Sequence, residues 1–253
     1  MKPLQSTKMD RVPAQSVELP DPPRVRAGEV YVFKFLLNRP TVGDLELLDS
    51  QERERARRFA FERDRQRFVA AHARVRRTLA AYLNRPPESV RFSASRYGKP
   101  QIANPPIDLR FNLSHAGNVA LLAVALSREV GIDIEQERPI EVLPLAQRFF
   151  SKSEFNALCN LPATERQPAF FRCWTRKEAF IKALGAGLFF ALDDFEVSIQ
   201  EAESDQLLRA CAVAPDELLR WRIRSVPAPA GYCGAVAAGP GDWHVVRWRA
   251  DME

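Results

Sequence analysis

The sequence lacks long apolar runs and has no signal-like beginning. None of its apolar stretches approaches the roughly 20 residues that a helix needs to cross a bilayer. The first residues, MKPLQSTKMDRVPAQ, do not contain the apolar segment of a secretory signal peptide. We therefore expect a cytoplasmic protein.

Cysteine and histidine are both scarce. The chain has 4 cysteines (Cys159, Cys173, Cys211 and Cys233) and 3 histidines. The cysteines are widely separated, form no C-x-x-C pair and have no histidine cluster beside them. This pattern argues against a zinc site and against a disulfide framework. We expect reduced thiols that lie mostly in the core.

Positive and negative charges nearly balance over the whole chain, but they are unevenly distributed along the sequence. The formal net charge is +5, whereas ten arginines face three acidic residues between Arg53 and Arg77. Such a block attracts polyanions through its long-range field. Nucleic acid, a nucleotide cofactor and an acidic protein partner are all compatible with it.

Apolar periodicity predicts an α+β protein with alternating helices and strands. The predicted helices are 45–60, 64–83, 142–150, 153–161 and 170–184. The predicted strands are 29–37, 90–92, 111–115, 119–126, 131–135, 195–200, 221–226, 232–238 and 243–249. We expect an extended or poorly ordered, proline-rich leader at 1–28, an N-terminal lobe at 29–127 and a C-terminal lobe at 128–253. A weak internal repeat of helix and strand order relates the two lobes.

Two segments place carboxylates at spacings that suit a common site. In Gly131-Ile132-Asp133-Ile134-Glu135, strand geometry projects Asp133 and Glu135 from one face. In the helix 170–184, Glu178 and Lys182 are four residues apart and share a face. Three carboxylates with a lysine beside them suit a hard cation that also holds phosphate. The same spacings also occur without a metal site, because Asp133 and Glu135 could lie on a solvated strand face and Glu178 and Lys182 could form a surface salt bridge.

Several separated motifs together resemble the 4′-phosphopantetheinyl transferase superfamily, in its Sfp-type, two-lobed monomeric branch. They are RYGKP (96–100), NLSH (112–115), GIDIE (131–135), FFSKSEF (149–155) and WTRKEAFIK (174–182). The resemblance extends from about Leu47 to Leu188. It implies two similar lobes, related by a pseudo-two-fold axis, each with a small, mainly antiparallel sheet packed with helices. The active site would lie in the cleft between them.

The resemblance also implies a reaction. Members of this family transfer the 4′-phosphopantetheine arm of coenzyme A to a serine of an apo acyl or peptidyl carrier protein, and adenosine 3′,5′-bisphosphate is released. We therefore expect a holo-[carrier protein] synthase with coenzyme A as co-substrate and a carrier protein as partner. The expected metal is Mg²⁺, with Mn²⁺ as an alternative. We expect a monomer that binds neither nucleic acid nor membrane.

Roles for individual residues follow from the matching motifs. The resemblance makes Asp133, Glu135 and Glu178 the metal ligands. Glu178 is also the candidate general base, although the motifs do not decide which carboxylate takes the proton. Lys182 is expected to bind the pyrophosphate.

Other matching residues are assigned to the coenzyme and the carrier. Ser114 and His115 are expected at the phosphates of the coenzyme. Lys99 and Arg55 are expected at its adenosine end, and Arg53 is added because it is close to Arg55 in sequence. The carrier protein is expected to dock where Phe149, Phe150 and the following helix meet the cleft.

Two other functions compete with this hypothesis. An inactive relative could bind coenzyme A without transferring anything, although all three acids and Lys182 are retained. The arginine block could instead bind nucleic acid. Against that, Phe59, Phe61 and Phe68 alternate with the arginines at helical spacing and are predicted to be core residues rather than base-stacking platforms. No zinc finger, RNP motif or basic zipper occurs in the sequence.

Overall fold

The computed structural model describes residues 24–37, 41–185, 191–201, 208–211 and 220–249. The strands are β1 (Glu29–Leu36), β2 (Phe92–Ala94), β3 (Pro100–Ile102), β4 (Leu109–Ala116), β5 (Val119–Leu126), β6 (Glu129–Gln136), β7 (Phe195–Val197), β8 (Leu208–Cys211), β9 (Arg222–Ser225), β10 (Tyr232–Gly239) and β11 (His244–Arg249). The α-helices are α1 (Asp44–Leu47), α2 (Ser50–Arg57), α3 (Glu62–Leu83), α4 (Val142–Phe149), α5 (Lys152–Cys159) and α6 (Ala163–Leu184). Short 3₁₀ turns occupy Pro87–Ser89 and Leu192–Asp194.

Two sheets form the centre of the molecule. The first has four strands in the order β11-β1-β5-β4, and the second has three in the order β6-β10-β9. Pairing is antiparallel except between β1 and β11, which run parallel. The predicted α+β class with small, mainly antiparallel sheets is confirmed. The last strand joins the sheet of the N-terminal half, and the lobe boundary at residue 128 stays a prediction.

The sheets and the two long helices pack in four layers. Helix α3 covers one face of the first sheet, where Val75 and Leu79 pack in one cluster with Phe33 of β1. The opposite face of this sheet packs against the second sheet. Helix α6 covers the outer face of the second sheet. Each sheet therefore buries both faces, which explains why the apolar strand Val119–Leu126 is buried almost throughout.

Gly131 allows the closest approach in this arrangement. A Cβ atom added there would overlap the carbonyl oxygen of Ala179 and the backbone of Ala183. Helix α6 therefore lies directly on β6 at this point, because glycine has no side chain to hold it away. Asp133 is two residues farther along the same face of the strand. The contact between Gly131 and α6 therefore determines how near Asp133 lies to the helix.

Helix boundaries differ from the sequence prediction where caps intervene. The predicted helix 45–60 is two helices, because Asp49 accepts a hydrogen bond from the Glu52 amide in a capping box that starts α2. Helix α6 begins at Ala163, seven residues before the start of the predicted helix 170–184, and contains Pro168. Ser151 caps α5, and its side chain accepts a hydrogen bond from the Glu154 amide.

Helix α6 ends as predicted, at Gly185 in the left-handed conformation with φ of 66°. Residues 186–190, which follow Gly185, lie outside the described residues. Cys159, Cys173 and Cys233 are free thiols. Within the described part of the chain, no helix is both long and apolar enough to span a membrane.

The arginine block is partly structural. Arg76 is fully buried, and its guanidinium binds Asp49 and Glu52 at 2.7 Å each. Phe68 is a core residue as predicted, but the same prediction is wrong for Phe61, which is 69% exposed, and for the partly exposed Phe59. Phe61 stands at the N-cap of α3, before its buried face begins.

Candidate active site

The predicted carboxylates and Lys182 meet where β4, β6 and α6 come together. Lys182 Nζ lies 2.6 Å from Asp133 Oδ1, and the Ser114 hydroxyl donates to the same oxygen at 2.8 Å. Asp133 is buried, and within the described residues its second oxygen, Oδ2, has no hydrogen-bond partner. One half of a buried carboxylate is thus left unsatisfied, which is costly unless a further ligand binds it.

Glu135 and Glu178 lie beside Asp133. The pKa of Glu178 is raised, first by burial and then by the negative charge of Asp133, while Lys182 opposes the shift. Burial and Asp133 raise the pKa of Glu135 as well, and Glu178 adds to this effect. Mutual repulsion of this kind identifies a place where a cation would be stabilising.

The three carboxylates offer oxygen donors for a metal ion but do not yet surround a common point. As their side chains stand, no three carboxylate, imidazole or thiolate groups of the described residues converge closely enough to hold an ion. Lys182 already supplies one positive charge to Asp133. However, Oδ2 of Asp133 has no partner among the described residues, and the pKa of both glutamates is raised. Both observations indicate that the site would be stabilised by a second positive charge. All three donors are hard oxygens, so the set fits Mg²⁺ better than zinc.

Strand β4 is attached to β6 through side chains. Asn112 Oδ1 accepts a hydrogen bond from the Ile132 amide at 2.8 Å, and Ser114 Oγ lies 3.4 Å from the Ile134 amide. In the described sheets these two strands share no backbone ladder. The NLSH motif therefore joins the first sheet to the second, next to Asp133.

A cleft of about 580 Å³ opens beside this group. Glu178 and Lys182 line it from α6, and Lys99 lines it from the turn before β3. Phe149 from α4 and Leu192 add apolar surface. The cleft therefore has a charged end and an apolar wall, as a site for an extended polar substrate with an apolar portion requires.

His115 lies in a second group of charges close by. Its pKa is lowered, first by desolvation and then by the positive charges of His72, Lys182, Arg55 and Arg67. Four cationic or titratable groups around one imidazole favour an anion at this place. Arg55 is therefore close enough to His115 for their charges to interact, while its role at the coenzyme stays a prediction.

The other two predicted coenzyme residues are placed differently. Lys99 donates to Glu129 at 2.7 Å and to the Ala183 carbonyl at 3.0 Å, so its ammonium is already bound at the end of α6. Burial lowers its pKa, which the ion pair with Glu129 opposes. Arg53 donates to the carbonyls of Leu48 and Glu46 and lines a separate cavity. The structure does not bring Arg53 to the others, because residues two apart on a helix point to different sides.

Comparison with known proteins gives the family. A profile described as the 4′-phosphopantetheinyl transferase superfamily matches residues 129–237, and another, described as 4′-phosphopantetheinyl transferase, N-terminal, matches residues 41–127. The 4′-phosphopantetheinyl transferase HetI of Nostoc sp. is 36% identical over 242 residues, which cover 92% of this chain and 98% of the relative. The chain belongs to the 4′-phosphopantetheinyl transferase superfamily.

Further relatives agree with this assignment. The 4′-phosphopantetheinyl transferase Sfp of Bacillus subtilis is 33% identical over 214 residues, which cover 85% of this chain and 92% of Sfp. A mouse L-aminoadipate-semialdehyde dehydrogenase-phosphopantetheinyl transferase is 32% identical over 170 residues, which cover 62% of this chain and 55% of the relative. The family predicted from the motifs is confirmed, and so is the enzyme class that goes with it.

Within this transferase fold, the structure adds residues that sequence reasoning missed. Arg67 and His72 of α3 stand near His115, and Asn112 ties β4 to β6. Arg148 lines the cleft beside Phe149. Arg67 belongs to the arginine block and Asn112 to the NLSH motif. The sequence therefore draws attention to Arg67 and Asn112, but it does not show that Arg67 lies near His115 or that Asn112 binds the Ile132 amide.

Proposed function

We propose that this protein transfers the 4′-phosphopantetheine arm of coenzyme A to a serine hydroxyl of an apo acyl or peptidyl carrier protein. The observation that carries the proposal is the group formed by Asp133, Glu135, Glu178 and Lys182 at the end of an open cleft. Three carboxylates and an ammonium suit displacement at a phosphorus atom, which depends on positioning and charge neutralisation. Adenosine 3′,5′-bisphosphate would be the second product.

The metal in this proposal is Mg²⁺, held by Asp133, Glu135 and Glu178. When bound, it would neutralise charge on the pyrophosphate of coenzyme A. Lys182 stands between Asp133 and the cleft, so its ammonium can donate to a phosphate oxygen from the same side. Mn²⁺ is a suitable substitute because it also accepts oxygen ligands.

Glu178 is proposed as the base. It lines the cleft from α6, where the serine of a docked carrier protein would enter. It would take the proton of the carrier serine as the serine oxygen forms a bond to the phosphorus that bears pantetheine. The bond from that phosphorus to the adenosine bisphosphate then breaks, and the electron pair leaves with the bisphosphate.

Coenzyme A would extend from this group toward His115. Ser114 and His115 would contact its phosphates, while Arg55 and Arg67 supply positive charge. Lys99 would bind near the adenosine end only if its ion pair with Glu129 rearranges. For Arg53 the same role stays a prediction, since it lines the other cavity.

The carrier protein would dock at the mouth of the cleft. Phe149 lines that cleft, Leu145 on the same side of α4 is 37% exposed, and Arg148 between them is also exposed. A mixed apolar and basic surface suits an acidic helical partner. Phe150, predicted to share this role, is instead a buried core residue that stacks on Phe170.

We further propose a cytoplasmic monomer whose lobes comprise residues 29–127 and 128–253, with β11 exchanged onto the first sheet. The free thiols of the described cysteines are in keeping with a reducing compartment. The sheets already bury both faces within one chain, so the fold needs no second copy to complete its core.

The reaction is tested by intact-protein mass spectrometry. An apo acyl carrier protein and an apo peptidyl carrier domain are each incubated with the protein, coenzyme A and Mg²⁺, and a parallel sample contains EDTA. We expect a mass gain of one phosphopantetheine that EDTA prevents. No gain on either carrier, with coenzyme A binding still measurable by calorimetry, would instead identify an inactive coenzyme-binding relative.

A further inference from the structure

Lys177 stands directly before Glu178 in the sequence but points in a different direction. A shift of one residue turns the side chain by about 100° around a helix. Glu178 therefore lines the cleft, whereas Lys177 is 0% exposed and lies inside the protein. A fully buried ammonium needs partners for its charge and its three donors.

Those partners come from α5, from the 3₁₀ turn Leu192–Asp194 and from β7. Lys177 Nζ lies 2.8 Å from Glu154 Oε2 on α5, and it donates to the carbonyls of Leu192 at 2.7 Å and Phe195 at 2.6 Å. The ring of Phe195 faces the ammonium with its centroid 4.3 Å away. The charge is thus paired and all three donors are used.

Glu154 extends the same connection. Its Oε1 accepts a hydrogen bond from the Val197 amide at 2.7 Å, and its Oε2 accepts from the Ser151 amide at 2.8 Å. The ion pair therefore fixes the segment from Leu192 to Val197 against α6 and against the beginning of α5. Because each buried charge satisfies the other, the loss of one partner leaves an uncompensated charge.

The segment held in this way is a wall of the cleft. Ala191, Leu192 and Asp193 line it, and Glu178 lines the same cleft. We propose that Lys177 is a positioning residue: with Glu154, it sets the distance between this wall and the Glu178 face of α6. This proposal deepens the proposed function and rests on it, because the wall and Glu178 must hold substrate together.

Arg176 supplies a matched control. It is the preceding residue on the same helix and is also buried, but it binds the carbonyls of Ser198 and Gln200 and the hydroxyl of Ser225. None of these three residues lines the cleft described above. Removal of either cation should lower stability, but only the loss of Lys177 should change the cleft.

The test compares Lys177→Met, the double variant Lys177→Met/Glu154→Gln and Arg176→Met with the wild-type protein. Lys177→Met alone leaves the buried Glu154 carboxylate without its cation and can prevent folding. The double variant removes both charges, so it can be measured even if Lys177→Met does not fold. Steady-state transfer to an apo carrier is measured well below each melting temperature. We expect kcat/KM of the double variant to fall about 10- to 100-fold, as misplacement of a supporting group typically causes. Arg176→Met should stay within about threefold of wild type.

Hydrogen exchange provides a readout that does not depend on transfer. Amides of residues 191–197 should exchange faster in the Lys177 variants and at the wild-type rate in Arg176→Met. Unchanged exchange there, or a folded double variant with wild-type kcat and KM, would overturn the positioning role. If the wild-type protein itself transfers nothing, the proposed function fails, while the exchange measurement still decides what Lys177 positions.

Discussion

Lys182 Nζ lies 2.6 Å from Oδ1 of Asp133, while Oδ2 of the same buried carboxylate has no hydrogen-bond partner within the described residues. One oxygen is therefore satisfied inside the protein, and the other is buried without a partner among the described residues. The pKa of both glutamates is raised in part by this same carboxylate. The three carboxylates therefore carry more negative charge than Lys182 alone neutralises, and a second cation would stabilise them.

The first prediction concerns that cation. In the presence of coenzyme A, Mg²⁺ should bind the wild-type protein and raise its melting temperature, because a ligand held at 100 times its Kd adds about 2.7 kcal/mol of stability. Asp133→Asn should lose this shift. Asp193→Asn removes a different carboxylate of the cleft lining, one outside the proposed metal ligands, and should keep the shift. Equal shifts in both variants would place the metal elsewhere.

The second prediction concerns the contact between β6 and α6. Gly131→Ala should lower the free energy of unfolding by about 3 kcal/mol or more, because the new methyl group would overlap backbone atoms of Ala179 and Ala183. Gly231→Ala meets no atom within 4 Å and should cost only about 1 kcal/mol, for its left-handed conformation. Urea denaturation of both variants measures the difference. Equal costs would mean that α6 does not rest on Gly131.

The sequence was sufficient to predict the features that depend on local periodicity. Strand alternation placed Asp133 and Glu135 on one face, and helical spacing placed Glu178 with Lys182. The direction of Lys177 could be estimated in the same way, but not its burial against Glu154, since that depends on how α5 packs. The proximity of Arg67 to His115 likewise depends on the packing of α3 near β4, which no local pattern encodes.

The third prediction concerns Asn112. Asn112→Leu should cost about 1–3 kcal/mol of stability, because the Ile132 amide loses its acceptor in a buried place. Asn156→Leu introduces the same residue at an exposed position of α5 and should change stability by less than about 0.5 kcal/mol. Thermal unfolding monitored by circular dichroism compares the two. A neutral Asn112→Leu would show that side chains do not hold β4 against β6.

The fourth prediction concerns the protonation of His115. Its pKa in the free protein lies below the usual value near 6.5, so the ring is largely neutral at pH 7. A bound phosphate would offset the surrounding positive charges and raise this pKa. Coenzyme A binding should therefore take up a proton, and affinity should increase as the pH falls from 7 toward 6.

Calorimetry in two buffers of different ionisation enthalpy measures that proton. We expect uptake near pH 6 with the wild-type protein and with His244→Gln, which alters an exposed histidine on β11. His115→Gln should bind coenzyme A without taking up the proton. Uptake that persists in His115→Gln would assign the proton to another group.

The last prediction addresses the reaction itself and compares Glu178→Gln with Glu165→Gln, an exposed glutamate in the first turn of the same helix. The rate at which an apo carrier gains phosphopantetheine is followed by intact-protein mass spectrometry, with coenzyme A binding measured in parallel. We predict that Glu178→Gln slows transfer about 10²- to 10⁴-fold, as loss of a general base typically does, while coenzyme A still binds. Glu165→Gln should transfer at the wild-type rate. Wild-type transfer by Glu178→Gln would contradict the assignment of this site.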